Sequence, residues 1–580
     1  MMYGSRLAWV FGLAAWVPAS LSAQDGVRQS HDSIAALGDA QEAQREFERT
    51  RRWLLPRATR RDTHGSVELI GRFRYFHGDD DAAAGLGAED EEIVEGRSGL
   101  ITLLDSLRAR HPGDEWLTGQ LVRYLVDAGR IEEANRAAES CQSSRWWCLT
   151  LRGLVAHLSQ RFDQADSLFA AALRTMPDEE RCTWTDLSIL LNGDAAKRYR
   201  GVTCADRGPL NDHLFWLADP SYAIPGNDRR TEHYARNVVD RFFQQTGTPH
   251  GLRWGNDYRE LVLRYGWSER WEAELRDGGV GDPSVIGHER PGGRPFLPPS
   301  DVASAPETAA WDNWPLDVER ARERYAPGYA RQFRLLDAQV AIFRRDDGIV
   351  VVSATELPRP EGDAMDDGTQ AAFGQAALAL TPGPDRLRIV RDGRVTAVSR
   401  LALSTPAESG MLSVEALNLR HGVAARRRFW LDVPGIGRDG IALSDLLLVD
   451  PSIPLPSTLD AAVDQALPST TLPRGEPVHV YWEVYGASGH LVPFALTVIK
   501  EGKGFLRRTV EFLGLAERDK PTVRMQWERP IVHPQEGLAI AVQLPEGEAG
   551  SFTLRLQAIT AAGLPVTVER RIDISPETER

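Results

Sequence analysis

A change in hydrophobic period near Phe333 constrains the fold of this chain more than any other feature of its sequence. In much of the chain upstream, apolar residues recur every three to four positions, which is the spacing of one buried helix face. Downstream, apolar and polar residues alternate in short runs that turn residues separate, as in half-buried strands. The separate blocks predict a multidomain α + β protein with an N-terminal helical array and C-terminal sheets.

The β-rich part contains two blocks of strands, at residues 327–450 and 474–576, and the residues between them, 451–473, are rich in Pro, Ser and Thr. Strands that recur about every 8 to 12 residues are typical of a sandwich. We therefore predict two immunoglobulin-like β-sandwiches joined by a linker. Residues 441–449 are expected to close the first sandwich.

The N-terminus predicts a secretory signal peptide at residues 1–23, with Arg6 as a short basic region and residues 7–17 as its apolar segment. Small residues precede the expected cleavage point after Ala23. No later stretch reaches the ~18 apolar residues of a membrane-spanning helix. The mature protein is therefore expected to be exported, to the periplasm or the extracellular space, with no transmembrane segment beyond the signal peptide.

Residues 24–96 form a polar N-terminal region with a predicted helix at 40–55 and an acidic loop at 78–96. The loop lacks the alternating ligand spacing of a calcium site, which favours a solvated linker. Four cysteines follow, and they allow three pairings. The sequential pairing closes two short loops and is the one we predict: Cys141 with Cys148 and Cys182 with Cys204.

Residues 97–205 carry a helical array. One unit places Gly153, Ala165, Phe169, Ala172 and Pro177 at small, small, aromatic, small and Pro positions, and so resembles a tetratricopeptide repeat. The preceding unit matches through Gly129, Ala134, Ala138 and Cys141. Such arrays usually present a concave face to partners, and a purely structural helical domain is the alternative interpretation.

Residues 206–277 form a mixed central domain that is dense in aromatic and charged residues. Trp254 and Asp257 stand at the Trp and Asp positions of a short motif, and an apolar run then ends in Tyr265-Gly266. This segment resembles the GWxTD domain, a family of mostly exported bacterial proteins with no established activity. Arg253, Asn256 and Trp267 depart from the family pattern, at its Gly, Thr and Pro positions.

The motif residues Trp254, Asp257, Arg264, Tyr265 and Gly266 have two interpretations. In the first they are a folding signature: Asp257 accepts backbone or arginine hydrogen bonds, and Trp254 packs on the helix face from Tyr234 to Phe242. In the second they line a binding groove.

Acid, base and metal candidates lie near the motif. Glu232-His233, His250 and Asp257 are close in sequence, but their spacing imposes no metal or acid–base site. His288-Glu289 lies in a Gly- and Pro-rich connector at 278–326, and two potential ligands are too few for a metal site. We expect Phe296, Trp311 and Trp314 to pin this connector.

The sequence contains no nucleophile elbow, zinc-protease helix, phosphate loop or dinucleotide fingerprint, so no cofactor or metal is predicted. A net charge of −14 argues against nucleic acid as a partner. We expect an exported, non-catalytic scaffold that binds protein partners through the helical repeats, the GWxTD-like central domain or both. Two alternatives stay open: an envelope hydrolase with its site in the central domain, and a carbohydrate-binding protein with Trp482 or Trp527 exposed on a sheet.

Overall fold

The computed structural model describes residues 20–56, 66–77, 89–244, 246–268, 271–274, 284–287, 292–318, 321–346, 348–360, 374–433, 440–501, 523–544, 549–560 and 563–575. Most of the predicted signal peptide, most of the acidic loop and the His288-Glu289 pair lie outside these residues. The described N-terminal part is helical and the C-terminal part is mostly β, as the change of period predicts.

The helices of the N-terminal part run in this order: α1 Ser20–Leu54, α2 Glu91–Arg110, α3 Glu115–Asp127, α4 Ile131–Glu139, α5 Arg145–Leu158, α6 Phe162–Thr175, α7 Asp178–Trp184, α8 Gly193–Arg200, α9 Arg207–Ala218, α10 Asp228–Phe243 and α11 Asn256–Tyr265. Short polar side chains begin several of them. The Asp114 carboxylate accepts from the Leu117 amide at 2.8 Å before α3, and the Asn227 side chain accepts from the Arg230 amide at 2.8 Å before α10.

Consecutive helices pack closely because small residues lie where they meet. A Cβ on Gly153 of α5 would lie 2.9 Å from the Phe169 ring of α6. Ala165 and Ala172, also in α6, are fully buried. Gly129, between α3 and α4, has a φ of +70°, which glycine adopts without strain.

Helix α10 lies across α3, α5 and α6. The Gln120 amide donates to the Phe242 carbonyl at 2.7 Å, and the Trp147 and Phe242 rings meet edge-on at 5.9 Å. On α6, the Phe169 ring lies 5.5 Å from that of Tyr234. The chain itself therefore covers this face of the helical array.

The described helical part also contains two small hairpins. They are formed by β1 Ser66–Ile70 with β2 Phe73–His77, and by β3 Trp271–Glu274 with β4 Ser284–Gly287. In the connector, α12 Ser300–Ser304 leads towards the first β domain. Phe296 and Trp314 are buried, as expected of pinning residues, whereas Trp311 is 49% exposed.

The first β domain is a sandwich of two sheets. Its strands are β5 Gln332–Leu335, β6 Ala338–Arg345, β7 Gly348–Glu356, β8 Gly374–Thr381, β9 Arg388–Val395, β10 Val398–Pro406, β11 Gly410–Asn418 and β12 Val423–Leu431. One sheet has the order β10-β7-β6 and the other β5-β12-β11-β8-β9, with only β5 and β12 parallel among these pairs. Val351, Leu378 and Leu412 belong to the core that both sheets share.

The second β domain also has two sheets over one core. Its elements are β13 Ala442–Leu443, β14 Leu447–Val449, α13 Leu459–Asp464, β15 Thr471–Leu472, β16 Pro477–Tyr485, β17 His490–Lys500, β18 Val523–Ile531, β19 Gln535–Gln543, β20 Gly550–Ile559 and β21 Pro565–Ile574. Strand β16 pairs with β13, β14 and β19, and the other sheet has the order β15-β21-β20-β17-β18.

Two predictions about the border between the sandwiches are wrong. Residues 441–449 do not close the first sandwich, because β13 and β14 form hydrogen bonds with β16 of the second. Residues 451–473 are not an open linker, since Leu459, Ala462 and Ala466 are buried and β15 pairs with β21. The second domain therefore begins before the Pro-rich segment.

The disulfides have the predicted sequential pairing, Cys141 to Cys148 and Cys182 to Cys204. Such bonds are typical of an oxidising, exported environment. Among the described helices, none combines the length and the apolar character that crossing a bilayer requires.

Candidate functional site

Trp254 lies inside a stack of aromatic rings. Phe243 covers one side at 4.8 Å between centroids and Tyr258 is 4.7 Å away, with interplanar angles of 11° and 6°. The indole nitrogen donates to the Asp240 carboxylate at 2.7 Å. Trp254 packs against α10 as predicted. Its ring partner on that helix is Phe243, at the helix end, and not Tyr234 or Phe242.

Asp257 receives a bidentate ion pair from Arg72, in the β1–β2 turn. Arg72 donates through Nε at 2.5 Å and through Nη2 at 2.7 Å, and its backbone amide lies 3.3 Å from the same carboxylate. These hydrogen bonds hold the pKa of Asp257 below its usual value, and partial burial opposes that shift. Asp257 therefore attaches the first hairpin to the start of α11.

Arg264 and Tyr265 bind the same hairpin from the other end of α11. The Arg264 guanidinium donates to Glu68 at 3.0 Å, to Glu260 at 3.0 Å and to the Arg322 carbonyl at 2.7 Å. The Tyr265 hydroxyl donates to Glu68 at 2.7 Å, and its ring stacks on Tyr75 at 4.3 Å. These contacts join α11, β1, β2 and the connector.

Gly266 ends α11 with a φ of +83°. Its amide donates to the Val262 carbonyl at 2.8 Å, which closes the last helical turn. The buried Arg236 guanidinium lies behind it and donates to the carbonyls of Leu263 and Arg264 at 3.0 and 2.9 Å. The side chains of Trp254, Asp257, Arg264 and Tyr265 are thus used in contacts that hold α11 and the turn before it to their neighbours, and Gly266 ends the helix.

Sequence reasoning missed the residues that complete this arrangement. Glu68, Arg72 and Tyr75 lie about 180 to 200 positions before their partners, so local spacing could not connect them. The available signal was Gly71-Arg72 between two short apolar runs, which is a turn signature.

The acid–base candidates of the central domain do not converge. Glu232 pairs with His157 at 2.8 Å and with Arg236 at 2.6 Å, whereas the His233 ring contacts the Trp184 carbonyl at 2.8 Å. Burial lowers the pKa of His233 to about 3, and it lowers the pKa of His250, which lies among aromatic rings, to about 3 as well. Within the described residues, no three His, Cys, Asp or Glu side chains gather as a metal site.

The carbohydrate alternative needed Trp482 and Trp527 to be exposed. Trp482 is only 1% exposed. Trp527 is half-buried, and its ring stacks on the core residue Phe494 at 5.6 Å. The aromatic surface that this hypothesis required is therefore not formed by these two residues.

A groove of about 670 Å³ opens between the two sandwiches. We call it the inter-sandwich groove; six of its lining residues are Trp311, Leu335, Arg427, Thr471, Arg570 and Arg571. Trp311 and Leu335 are 49% and 52% exposed, and both line this groove. The sequence had assigned Trp311 to the connector and had not singled out the arginines.

Arginines from both sandwiches form the wall of this groove. Arg427 of β12 donates to the Ala338 carbonyl at 3.1 Å and lies 5.3 Å from the Trp311 ring centre. Arg570 of β21 donates to Gln339 at 3.1 Å and to the Val340 carbonyl. Burial lowers the pKa of Arg570 to about 10; Asp445 opposes this shift, and the charge of Arg427 adds to it.

No protein-family model matches this chain, and no curated protein sequence matches it. Among solved structures it is similar to a crystal structure of red sea bream transglutaminase, with 10% sequence identity and a TM-score of 0.12. The match covers 43% of this chain and 32% of the transglutaminase chain, so it spans about a third of that protein. At this TM-score the likeness carries no argument about fold or activity.

Proposed function

We propose that this chain is an exported, non-catalytic scaffold of the bacterial cell envelope that binds a protein partner in the inter-sandwich groove. The observation that supports this is the exposed pair Trp311 and Leu335 beside Arg427, Arg570 and Arg571. Tryptophan and arginine dominate the binding energy of protein interfaces. A groove of about 670 Å³ is large enough for several side chains of a partner.

The proposal includes the family and fold relations that the sequence suggests. The chain is a divergent relative of the GWxTD family, α3 to α6 are tetratricopeptide-like repeats, and both sandwiches are immunoglobulin-like. In this interpretation Trp254, Asp257, Arg264, Tyr265 and Gly266 are a folding signature. Because α10 already covers one face of the repeats, we propose that the partner binds in the groove and not on the helices.

The test is a cross-linking pull-down from an envelope extract with the full chain and its Trp311→Ala variant. Trp53→Ala is the matched control, because Trp53 lies on α1 and is 53% exposed. We expect a specific partner that Trp53→Ala retains and Trp311→Ala loses. A set of cross-linked proteins that is the same for all three chains would refute binding at the groove.

A further inference from the structure

We propose that the inter-sandwich groove binds an extended acidic segment of the partner, whose carboxylates pair with Arg427 and Arg570 and whose apolar side chains pack on Trp311 and Leu335. This inference rests on the proposed function and specifies the chemistry of the partner. Three features of the groove support it: the charge of its wall, its apolar rim and the strands at its borders.

The wall carries guanidinium groups whose contacts within the chain are mostly neutral. Arg427 and Arg570 donate to backbone carbonyls and to the Gln339 amide oxygen, and the nearest carboxylate oxygen of Asp337 is 3.7 Å from Arg427. A carboxylate that enters between these guanidiniums gains charge-assisted hydrogen bonds.

The acidic residues of the groove are held by other groups. Glu569 pairs with Arg555 at 2.5 Å, Asp573 accepts from the Ser551 hydroxyl at 2.5 Å, and the Asp337 carboxylate accepts from Ser469. Four arginines and three carboxylates line the groove, so its lining keeps a net positive charge. Burial lowers the pKa of both Arg427 and Arg570, and Asp337 opposes that shift for Arg427. For Arg570 the charge of Asp445 opposes the shift and the charge of Arg427 adds to it.

The rim favours a segment that also carries apolar side chains. Trp311 presents an indole ring that Arg427 approaches from 5.3 Å, and Leu335 is half exposed at the end of β5. A leucine or an aromatic residue next to an acidic one would cover both rim residues. Such contact would favour binding, because it removes apolar surface of both partners from water.

The borders of the groove favour an extended segment over a small acid. Strand β5 is the end strand of its five-stranded sheet, β15 is the end strand of the other, and Leu335 and Thr471 of these strands line the groove. Peptides that bind in extended form use the backbone groups on the outer side of an end strand. On β15 the Thr471 amide already donates to the Ser469 hydroxyl at 2.8 Å, so the end of β5 at Leu335 is the edge that would pair with such a segment.

The direct test measures fluorescence anisotropy of a labelled short peptide of alternating aspartate and leucine, titrated with the full chain. A second peptide has asparagine in place of each aspartate. We expect the acidic peptide to bind at least about tenfold more tightly, with the difference shrinking at high salt. Equal affinity for the two peptides would overturn the inference.

Variants locate the binding. Arg427→Gln and Arg570→Gln should each weaken the binding of the acidic peptide by about tenfold. Arg427→Lys should retain much of the affinity that Arg427→Gln loses, because lysine keeps the charge. Arg524→Gln is the control, an exposed arginine on β18 that does not line the groove. Circular dichroism establishes that each variant is folded. Binding that all of these variants retain would refute the assignment to this groove.

The failure of this inference can be told apart from failure of the proposed function. A partner that is lost in Trp311→Ala but retained in the Arg427→Gln, Arg570→Gln double variant would support the groove as the docking surface and refute an acidic segment. A partner retained in Trp311→Ala would refute the groove itself.

Discussion

Gly153 shows how one small side chain sets the distance between two helices. The Phe169 ring lies over the backbone of α5 where a Cβ would come within 2.9 Å of it. Phe169 is 1% exposed, so its ring has little room to move away. The sequence pattern identified both positions because a small residue opposite an aromatic one is what close helix pairs require.

Gly153→Ala is therefore expected to destabilise the helical part by about 1–3 kcal/mol, despite alanine being the better helix former. Gly99→Ala is the matched control, because no atom lies within 4 Å of a Cβ at that position in α2. It should be neutral or stabilising by up to about 1 kcal/mol. Urea unfolding followed by helical circular dichroism compares the two, and equal midpoints would contradict the packing argument.

At the scale of elements, each disulfide connects neighbouring segments of the helical array. Cys141–Cys148 connects the end of α4 to α5, and Cys182–Cys204 connects α7 to the turn before α9. The two closed loops differ in length, with sequence separations of 7 and 22 residues. Loop-closure entropy predicts a larger contribution from the longer loop.

Replacing Cys182 and Cys204 by serine should lower the free energy of unfolding by about 3 kcal/mol, and replacing Cys141 and Cys148 by about 2 kcal/mol. The measurement is urea unfolding of each double variant beside the oxidised parent chain. The reduced parent serves as control, since it should lose more stability than either variant. The reverse order of the two variants would show that native contacts, rather than loop entropy, decide the effect.

Elements could be predicted from this sequence better than their partners. Helices, most strands and the Asn227 cap follow from local pattern, since capping and periodicity act within a few residues. The pairing of residues 441–449 with β16 does not follow from local pattern, because alternation shows which residues face a core but not to which domain that core belongs. The ion pair between Arg72 and Asp257 could not be predicted either, because the two residues lie far apart in the sequence.

At the scale of the whole molecule, buried charges join the helical part to the first sandwich. Glu415 of β11 accepts from the Ser221 hydroxyl at 2.6 Å and from the amides of Tyr222 and Ala223 at 3.1 and 2.8 Å, and it pairs with buried Arg428 at 3.3 Å. Sequence reasoning assigns such residues to the surface, because single charged residues are seldom fully buried. Their burial follows from the domain contact.

Glu415→Ala should destabilise this junction by about 3–5 kcal/mol, because Arg428 would remain buried without its carboxylate. In calorimetry, we expect the helical part and the first sandwich to unfold in two transitions. The temperatures of these transitions should lie further apart in the variant than in the parent chain. Glu528→Ala is the control, as an exposed glutamate on β18, and should change little. An unchanged thermogram for Glu415→Ala would contradict the role of this network.

Asp228 gives the same junction a dependence on pH. Burial raises the pKa of this carboxyl from 3.8 to about 7, and the hydroxyls of Tyr329 and Tyr325 offset part of the rise. Between about pH 4 and pH 7 the folded chain therefore holds a proton that the unfolded chain releases. The contribution of Asp228 to stability is fully present at the acid end of this window and is lost as the pH rises through it.

Buried histidines act with the opposite sign in nearly the same window. Because the pKa of both His233 and His250 falls to about 3, the unfolded chain binds protons that the folded chain does not, and acid destabilises the fold below about pH 6.5. In the parent chain, the slope of the free energy of unfolding against pH thus combines opposing contributions from Asp228 and the two histidines. A comparison of the parent with an Asp228→Asn variant isolates the aspartate.

The free energy of unfolding of Asp228→Asn, measured in urea from pH 4.5 to pH 7.5, should rise with pH relative to that of the parent chain. The amide cannot ionise, so the variant escapes the cost that the parent meets as its carboxyl loses a proton in a buried site. Asp301→Asn, at an exposed position in α12, should leave the slope unchanged. Parallel curves for parent and Asp228→Asn would mean that Asp228 keeps an ordinary affinity for protons despite its burial.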